Sequence, residues 1–424
     1  MSVHRLIAQQ GRAMRISLLL QREPFGIIFQ ETLSAFLASW TGCQYEVRWQ
    51  SGRPNPKAMR RQGQQLWLCN AYLGAIFVPE VSEKVFDPIR REYHRSVVWW
   101  RRPIQRVYVS MATSYPYARY LAHAGISLSP PIPNAKELLI IGGNHKIRLI
   151  DYAQGVVYSI LKKGFPRQFI QREIEVRLQA EEIGLPVPTL EALGEDESWF
   201  AEQYLAGTPV NRLNDRSVMR RALADAARSL HRLLERTQRE QFLEEYTENL
   251  RLQIIRLVET GCLLSDVNKG ALLRNVDLIM SQINALCSAR GCYQITTAIT
   301  HGDFQPANIL LNEDGVWLID WEYSAQRQAG YDALVFASQS RFPRGLVMRL
   351  QQMQDGNCEW SWLLDRWLGL NWDNPSWRQI HSLIFLLEEL ALRLEENANP
   401  WFKREDKGLT ILLEEIGRWI VGSL

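Results

Sequence analysis

The stretch that most constrains this chain is residues 295–324, ITTAITHGDFQPANILLNEDGVWLIDWEYS. A strand-like apolar segment leads into a polar loop, and two short apolar runs separated by Asn-Glu-Asp-Gly follow. An Asp-Gly pair between two apolar runs predicts a β-hairpin. The hairpin would hold the polar loop beside the segment that follows it, so we expect Asp303, Asn308 and Asp320 to lie at one mouth.

These three side chains form the set that phosphoryl transfer requires. The reaction needs a carboxylate that orients the attacking hydroxyl and accepts its proton, and it needs oxygen ligands for Mg²⁺. Asp303 and Asn308 are five residues apart, as in the catalytic loop of protein kinases, and Asp320 follows the hairpin as the second kinase Asp does. We therefore expect Asp303 to be the catalytic residue and Asn308 and Asp320 to bind the metal.

The pattern His-Gly-Asp-x-x-x-x-Asn-Ile-Leu, followed by Ile-Asp-Trp-Glu, resembles the aminoglycoside phosphotransferase and choline kinase superfamily of small-molecule kinases. Protein kinases more usually have an arginine at Gly302 and Phe-Gly in place of Trp321-Glu322. The resemblance covers about residues 135–340 and implies ATP and Mg²⁺ as cofactors. It also implies an α+β, bilobal protein-kinase-like fold, with a small β-rich amino-terminal lobe and a large helical carboxy-terminal lobe.

Residues 1–132 do not look like a kinase lobe, and we expect them to form an extra α/β region of unknown function. Three prolines within 127–137, SLSPPIPNAKE, predict an extended connector, because each proline fixes its own φ and restrains its predecessor. The predicted division is therefore 1–132, a kinase-like amino-terminal lobe with its hinge over 133–208, and a helical lobe with the catalytic loop over 209–424.

Two stretches are expected to contact the nucleotide through their backbone. The sequence predicts a three-stranded meander whose first turn contains Gly142 and Gly143, where amide groups could approach phosphates closely. The strand WFAEQYL resembles the kinase hinge, where backbone groups of Glu202, Gln203 and Tyr204 could hydrogen-bond an adenine edge. An ordinary edge strand is the alternative for this second stretch.

A lysine and a glutamate are expected to bind the α- and β-phosphates. Lys162 ends the third strand of the meander, and alternation along that strand is expected to point it towards the nucleotide, whereas Lys163 would point to the opposite face. A helix predicted over 167–183 carries Glu173, and a glutamate of that helix pairs with the strand lysine in active kinases. The Arg-Glu-x-x-x-x-Leu pattern resembles aminoglycoside phosphotransferases and favours Glu173 over Glu175.

The segment after Asp320 contains a predicted structural aspartate and signals for the kind of acceptor. Asp332 stands where the superfamily has a Pro-x-x-Asp element that braces the catalytic loop, although Ala329 replaces the proline, and we assign Asp332 a structural role. The Ala-Pro-Glu ending of a protein-kinase activation segment is missing, which argues against a protein substrate. The string Ile-Asp-Trp-Glu-Tyr-Ser looks closer to choline and ethanolamine kinases and bacterial sugar kinases than to drug-resistance enzymes.

The predicted function is an ATP-dependent phosphotransferase with an alcohol group as acceptor, supplied by an amino alcohol, a sugar or a glycoconjugate. The alternative is a catalytically weak or inactive kinase-fold protein that binds nucleotide and uses residues 1–132 as an interaction module. Such proteins usually lose the strand lysine, the base or a metal ligand. Here all five expected positions are filled, by Lys162, Glu173, Asp303, Asn308 and Asp320. A protein or a saccharide is the partner expected for residues 1–132.

Charge and hydropathy limit the remaining classes. A net charge of +3 over 424 residues gives little support to a nucleic-acid binder. The basic, aromatic patch over 90–103 could bind a polyanion, but a solvated helix face is its commoner meaning. The apolar run at 16–20 is too short for a signal peptide, and charges interrupt the run at 380–392. We therefore expect a cytoplasmic protein without a membrane span.

Overall fold

The computed structural model describes residues 15–54, 63–93, 99–115, 117–261, 263–291 and 293–422. Residues 94–98 of the basic patch therefore lie outside the described residues. Contacts between residues divide the chain into two compact units. The first unit comprises the described residues up to Ile174 together with Pro188–Ala206, and the second comprises Glu175–Val187 and the residues from Gly207 onward.

The first unit is rich in strands. Its helices are α1 (Ile16–Arg22), α2 (Phe25–Thr41), α3 (Glu83–Tyr93), α4 (Arg101–Ala112), α5 (Ala118–Leu121) and α6 (Gln168–Glu182), whose last residues belong to the second unit. Its strands are β1 (Glu46–Ser51), β2 (Gln65–Asn70), β3 (Ala75–Phe77), β4 (Ala124–Ser129), β5 (Leu138–Gly142), β6 (Lys146–Asp151), β7 (Val156–Leu161), β8 (Leu190–Leu193) and β9 (Trp199–Gln203).

Within the described residues these nine strands form one sheet in the order β1-β4-β2-β3-β5-β6-β7-β9-β8. The predicted meander is β5, β6 and β7, and all of its pairs are antiparallel. Strand β3 joins the amino-terminal strands to the meander by pairing Ile76 with Ile140. The sheet therefore continues across the predicted connector at 127–137, and the division of the chain at residue 132 stays a prediction.

Helix α2 covers one face of this sheet. Phe36 of α2 contacts Tyr158 of β7, with ring centroids 5.6 Å apart, and Trp40 lies 5.1 Å from the same ring. Tyr158 and Ile160 belong to one buried apolar cluster with the aromatic residues of α2. Because alternate residues of a strand share a face, Lys162 also lies on the side covered by the amino-terminal helices.

Lys162 forms a buried ion pair there. Its Nζ lies 2.6 Å from Oε1 of Glu23, at the junction of α1 and α2, and it also donates to the carbonyl of Asn144 at 2.9 Å. Both charged side chains have no exposed surface. The structure therefore pairs Lys162 with Glu23 on the side of the amino-terminal helices, whereas the sequence predicted Glu173 as its partner.

The second unit is mainly helical. Its helices are α7 (Arg216–Thr237), α8 (Leu243–Thr260), α9 (Asp266–Arg290), α10 (Tyr331–Ser338), α11 (Leu346–Gln354), α12 (Ser361–Leu364), α13 (Pro375–Asn397) and α14 (Lys407–Gly422). Its strands are β10 (Thr208–Pro209), β11 (Arg239–Phe242), β12 (Gln294–Thr300), β13 (Ile309–Asn312), β14 (Gly315–Leu318) and β15 (Ala325–Gln328). A strand-rich unit followed by a helical one confirms the predicted α+β class.

The predicted hairpin is β13 and β14, joined by Glu313 and Asp314. Asn312 stabilises the turn, because its Oδ1 accepts the N–H groups of Asp314 (3.0 Å) and Gly315 (3.1 Å). Gly315 has a φ of +128°, a region that favours glycine. The Asn-Glu-Asp-Gly string therefore closes the hairpin through both its first and its last residue.

Helix α13 carries a buried polar network in the core of the second unit. Oε1 of Glu388 accepts the hydroxyl of Tyr246 and the backbone N–H of Gln328 at 2.9 Å, and its Oε2 accepts Nε2 of Gln328 at 2.7 Å. Burial raises the pKa of Glu388 to about 7 despite these donors.

Within the described part of the chain, no helix is both long enough and apolar enough to cross a membrane.

The ion pair of Lys162 predicts a specific pattern of stability. Lys162→Met would leave the Glu23 carboxylate buried beside a methionine, which should lower the free energy of unfolding of the first unit by about 3–5 kcal/mol. Adding Glu23→Gln should recover most of the loss. Urea unfolding of the single and double variants measures this, with Lys163→Met, an exposed neighbour, as control. Equal effects of Lys162→Met and Lys163→Met would contradict the ion pair.

Glu388 predicts a pH dependence of stability. The folded state keeps this carboxyl protonated up to a pKa of about 7, whereas the unfolded chain ionises it near its ordinary value of 4.5. Its contribution is therefore fully present below pH 4.5 and is lost as the pH rises through 7, by about 3 kcal/mol at most. Glu388→Gln should remove this loss, so that the variant gains stability over the parent between pH 5 and pH 8 in urea unfolding. The exposed Glu245→Gln should show no such gain, and a pH-independent difference for Glu388→Gln would refute the prediction.

Candidate active site

The loop that follows β12 has no room for a side chain at Gly302. This residue has a φ of +82°, and a Cβ added to it would lie 1.9 Å from the carbonyl oxygen of Tyr323. A side chain at this position would therefore force the loop away from the segment after the hairpin. The His-Gly-Asp pattern therefore requires glycine at this position because two backbone segments approach each other closely.

Asp332 holds the same loop from the amino-terminal end of α10. Its Oδ2 accepts the N–H of His301 at 2.7 Å and its Oδ1 accepts the N–H of Gly302 at 2.9 Å. The residue has no exposed surface, so these bonds form away from water. The structural role assigned to Asp332 from the sequence is confirmed, although Ala329 replaces the usual proline.

His301 has one favoured tautomer in this arrangement. Its Nδ1 accepts the N–H of Asp303 at 3.2 Å, so in the neutral ring the proton is on Nε2. Nε2 lies 3.1 Å from the carbonyl oxygen of Ile319, which only accepts. The imidazole therefore links the start of the loop to the residue that precedes Asp320, and it occupies both nitrogens in doing so.

The Asp303 carboxylate accepts three donors. Asn308 donates through Nδ2 to Oδ2 at 2.7 Å, and Gln305 donates through Nε2 to the same oxygen at 2.7 Å. Arg341 donates through Nε to Oδ1 at 2.5 Å. Asp303 and Asn308, which the sequence predicted to lie together, are thus in direct contact, and both are only 7% exposed.

Arg341 and Glu389 complete this group, and sequence reasoning missed both. Nη1 of Arg341 donates to both carboxylate oxygens of Glu389 at 2.9 Å, and Nη2 donates to the carbonyl of Gly302. Burial alone would raise the pKa of Glu389, but the guanidiniums of Arg341 and Arg393 outweigh it and hold the pKa below its ordinary value. An ionised Glu389 therefore fixes the guanidinium that orients Asp303.

Asn308 and Asp320 offer oxygen ligands for a metal. The N–H of Ile319 donates to the backbone carbonyl of Asn308 at 3.1 Å, which holds the residue before Asp320 beside Asn308. Since Nδ2 of Asn308 faces Asp303, its Oδ1 is the atom that could bind a cation. Asp320 has a φ of +70°, a conformation that costs a non-glycine residue about 1–3 kcal/mol and is concentrated at functional sites.

This donor set fits Mg²⁺. The ion prefers oxygen ligands and is usually bound by one or two carboxylates together with substrate phosphates rather than by an all-protein cage. The described residues contain no group of three or more His, Cys, Asp or Glu side chains that could hold a metal by themselves. Asn308 and Asp320 would hold the ion on the protein side.

In the first unit, the partner of Glu173 is Lys146. Nζ of Lys146, on β6, ion-pairs with Oε2 of Glu173, on α6, and both side chains are almost fully buried. The register of β6 and β7 pairs Lys146 with Leu161, and directly opposed residues of antiparallel strands share a face. Lys162 is the next residue and points to the other face. The glutamate predicted from the sequence thus has a lysine partner, and that partner is Lys146.

The turn between β5 and β6 is closely packed. A Cβ at Gly142 would lie 2.9 Å from Cδ1 of Leu19 and 3.0 Å from Cγ1 of Ile16, so α1 rests against this glycine. A Cβ at Gly143 would lie 2.7 Å from the carbonyl oxygen of Lys146. Both positions require glycine for packing, and their predicted contact with phosphates stays a prediction.

The predicted hinge uses some of its backbone donors within the first unit. The N–H of Gln203 donates to the carbonyl of Thr189 at 2.9 Å, and the N–H of Tyr204 donates to the carbonyl of Gly155 at 2.7 Å. These two N–H groups are therefore not available to an adenine in this conformation. The assignment of adenine binding to Glu202 and Tyr204 stays a prediction, and it would have to involve other backbone groups.

The site residues that were not predicted have only weak signals in the amino-acid sequence. Lys146 could have been found from the strand register, because it opposes the residue before Lys162. Glu388 and Glu389 interrupt the apolar run of α13, and buried charges within such a run indicate a polar network. Arg341 stands 21 residues beyond Asp320 in an unremarkable segment, and no local pattern marks it.

Comparison with solved structures gives matches at low sequence identity. The choline kinase LicA from Streptococcus pneumoniae is 11% identical, with 69% of this chain and 92% of that chain covered and a TM-score of 0.40. A choline/ethanolamine kinase family protein from Mesorhizobium loti is 14% identical, with 75% and 94% covered and a TM-score of 0.39. An ethanolamine kinase from Plasmodium vivax is 12% identical, with 81% and 96% covered and a TM-score of 0.42. No curated protein matches the chain in sequence.

A family model matches more than half of the chain. The matched residues are 144–370, which begin in the turn before β6 and end beyond α12. They include Lys146, Glu173 and the whole loop from His301 to Asn308, together with Asp320 and Arg341. By this match the chain belongs to the phosphotransferase enzyme family.

Proposed function

We propose that this protein transfers the γ-phosphoryl group of ATP to a hydroxyl group of a small molecule, with Mg²⁺ as the metal. The observation that carries the proposal is the contact between the Asp303 carboxylate and the Asn308 amide, on a loop that Asp332 braces. Asp303 would orient the acceptor hydroxyl and accept its proton during transfer. Positioning of this kind supplies much of the rate enhancement in phosphoryl transfer.

The surroundings of Asp303 support a catalytic role. An ionised carboxylate offers about four lone-pair directions, and Arg341, Gln305 and Asn308 occupy three of them. The fourth direction would accept the acceptor hydroxyl. Arg341 acts as a positioning residue in this scheme, because its bonds to Glu389 hold the guanidinium and thereby the carboxylate in one orientation.

The metal would be held by Oδ1 of Asn308 and by the Asp320 carboxylate. When bound, Mg²⁺ neutralises charge on the β- and γ-phosphates. The positive φ of Asp320 supports this assignment, since a strained aspartate needs a reason to persist. The hydrogen bond from Ile319 to Asn308 would keep the two ligands in one place.

We assign phosphate binding in the first unit to Lys146 and not to Lys162. Glu173 pairs with Lys146, as the helix glutamate pairs with the strand lysine in active kinases. Lys162 is already paired with Glu23 on the opposite face of the strand. The proposal thus keeps Glu173 as predicted and replaces Lys162 of β7 with Lys146 of the neighbouring strand β6.

The acceptor that we propose is the hydroxyl of an amino alcohol, a sugar or a glycoconjugate, on the strength of the Ile-Asp-Trp-Glu-Tyr-Ser string. A second candidate is a kinase-fold protein that binds nucleotide without turnover, with residues 1–132 as an interaction module. The ion pair between Arg341 and Asp303 favours this second candidate, because the charge of the predicted base is already matched by a guanidinium. Turnover assays separate the two.

Variants of the loop test the proposed function directly. Asp303→Asn should lower acceptor-dependent ADP release by about 10²–10⁴-fold and leave Mg-ATP affinity unchanged, because it removes the base and keeps the shape. Asp320→Asn should weaken Mg-ATP binding about tenfold or more through the loss of a charged ligand. ADP release across amino alcohols, sugars and aminoglycosides measures turnover, and calorimetry measures affinity.

Asp314→Asn, at the exposed turn of the hairpin, is the matched control and should behave as the parent. Full turnover in Asp303→Asn would refute the assignment of the base. Mg-ATP binding that no acceptor on the panel converts into turnover, and that Asp320→Asn abolishes, would favour the binding-only candidate.

A pair of arginine substitutions tests the choice of lysine. Lys146→Arg keeps a cation beside Glu173 but moves the charge by about an ångström, which should lower turnover about 10²-fold. Lys162→Arg keeps a cation beside Glu23 and should leave turnover within about twofold of the parent. Turnover is compared per folded protein, with the thermal midpoint recorded for both variants. The reverse order of sensitivity would return the role to Lys162.

A further inference from the structure

Helix α4 is anchored to the first unit by one face only. Val109 and Ala112 are buried in an apolar cluster on the side of the sheet opposite to α2. The hydroxyl of Tyr108 donates to Oδ1 of Asn70 at 3.1 Å, which fixes the helix to the end of β2. The helix is therefore held firmly, and its other face is turned to solvent.

That other face is apolar. Trp100 (51% exposed), Ile104 (63%), Val107 (60%) and Met111 (41%) follow one another at spacings of four, three and four residues. This spacing places them on a single stripe of an α-helix. Trp99, just before the helix, is 77% exposed. A contiguous apolar stripe of this kind on a soluble unit indicates an interaction surface.

The segment that carries the stripe has charges of one sign. No Asp or Glu occurs anywhere from residue 93 to residue 136, whereas this segment contains six Arg and Lys residues. Arg101, Arg102 and Arg106 lie on the exposed part of α4 itself. The Arg101 guanidinium lies 4.9 Å from the centroid of the Trp100 ring, so charge and aromatic surface adjoin.

We propose that the α4 surface, formed by Trp99, the stripe on α4 and its three arginines, docks on the surface of an anionic lipid bilayer. Helices that lie in the membrane interface combine an apolar face with flanking Lys and Arg, and Trp prefers the headgroup level. Arginines near the surface attract anionic headgroups while the apolar side chains enter the boundary of the acyl region. The surface would attach the protein to the membrane without a spanning helix, independently of the proposed transfer reaction.

Other occupants fit the same residues less well. A second copy of the chain meeting this face about a two-fold axis would set arginine against arginine, with no acid in the segment to balance them. A nucleic acid would use the arginines on its phosphates, but it would leave an aliphatic stripe of Ile104, Val107 and Met111 without a partner. A bilayer satisfies both the cations and the apolar stripe.

Vesicle flotation of the full chain tests the proposal. The probes are phosphatidylcholine vesicles with and without phosphatidylglycerol, at low and at physiological salt. We expect binding to the anionic vesicles that weakens as salt rises. Ile104→Glu/Val107→Glu should abolish binding, and Arg101→Gln/Arg102→Gln/Arg106→Gln should weaken it about a hundredfold, since each basic residue contributes about fivefold.

Matched controls separate the surface from general charge effects. Leu18→Glu/Leu193→Glu replaces two exposed apolar residues elsewhere in the first unit, and Arg220→Gln/Arg221→Gln/Arg404→Gln removes three exposed arginines from the second. Both should bind as the parent does. All substituted residues are exposed, so the variants should keep the parent's thermal midpoint.

Four outcomes would overturn the proposal. They are no binding to anionic vesicles, equal loss in the controls, binding that an oligonucleotide displaces and that Ile104→Glu/Val107→Glu leaves intact, and a dimer in light scattering that this double variant dissociates while vesicles are ignored. The third would indicate a nucleic-acid surface and the fourth a second copy of the chain.

Discussion

The carboxylate of Asp332 accepts the N–H groups of His301 and Gly302, and the geometry of the second unit around the candidate site depends on these two hydrogen bonds. They hold the start of the loop where Gly302 can pass against the carbonyl of Tyr323, an approach that leaves no room for a side chain. Asp303 is the next residue, so its backbone is held in place and its carboxylate contacts Arg341 and Asn308. A buried carboxylate that is satisfied by backbone donors is well suited to this task, because leaving those donors unpaired would cost about 1–3 kcal/mol each.

Each unit contains buried charges that lie in pairs or larger groups. Lys146 with Glu173 and Lys162 with Glu23 lie in the first unit, and Arg341 with Asp303 and Glu389 lies in the second. Buried ion pairs of this kind contribute little net stability, but breaking one by removing a single partner is costly. They therefore fix which partner each charge takes. In the first unit this separates two neighbouring lysines into one that faces α6 and one that faces the amino-terminal helices.

The amino-terminal region takes part in the architecture of the first unit. Helix α2 covers the face of the meander that was expected to point towards the nucleotide, and α1 packs on Gly142. Glu23 reaches Lys162 from the junction of these helices. On the other side of the sheet, α4 is anchored through Val109 and Ala112 and exposes the apolar stripe with its arginines. The region thus both completes the core of the unit and supplies its most exposed apolar surface.

Elements with local signals could be predicted from the amino-acid sequence alone. The hairpin, the meander and α6 were all predicted within a residue or two, because each is set by turn residues and by the period of its own apolar positions. The same holds for the contact of Asp303 with Asn308, which rests on a spacing of five residues. The brace from Asp332 joins residues about 30 positions apart and was predicted from the resemblance to the superfamily. The pairing of Glu173 with Lys146 is seen only in the folded chain, since it depends on which face of the sheet α6 and the amino-terminal helices each cover. Only folding brings Arg341 and Glu389 to Asp303, because they come from two other segments and meet the loop through packing that no local pattern encodes.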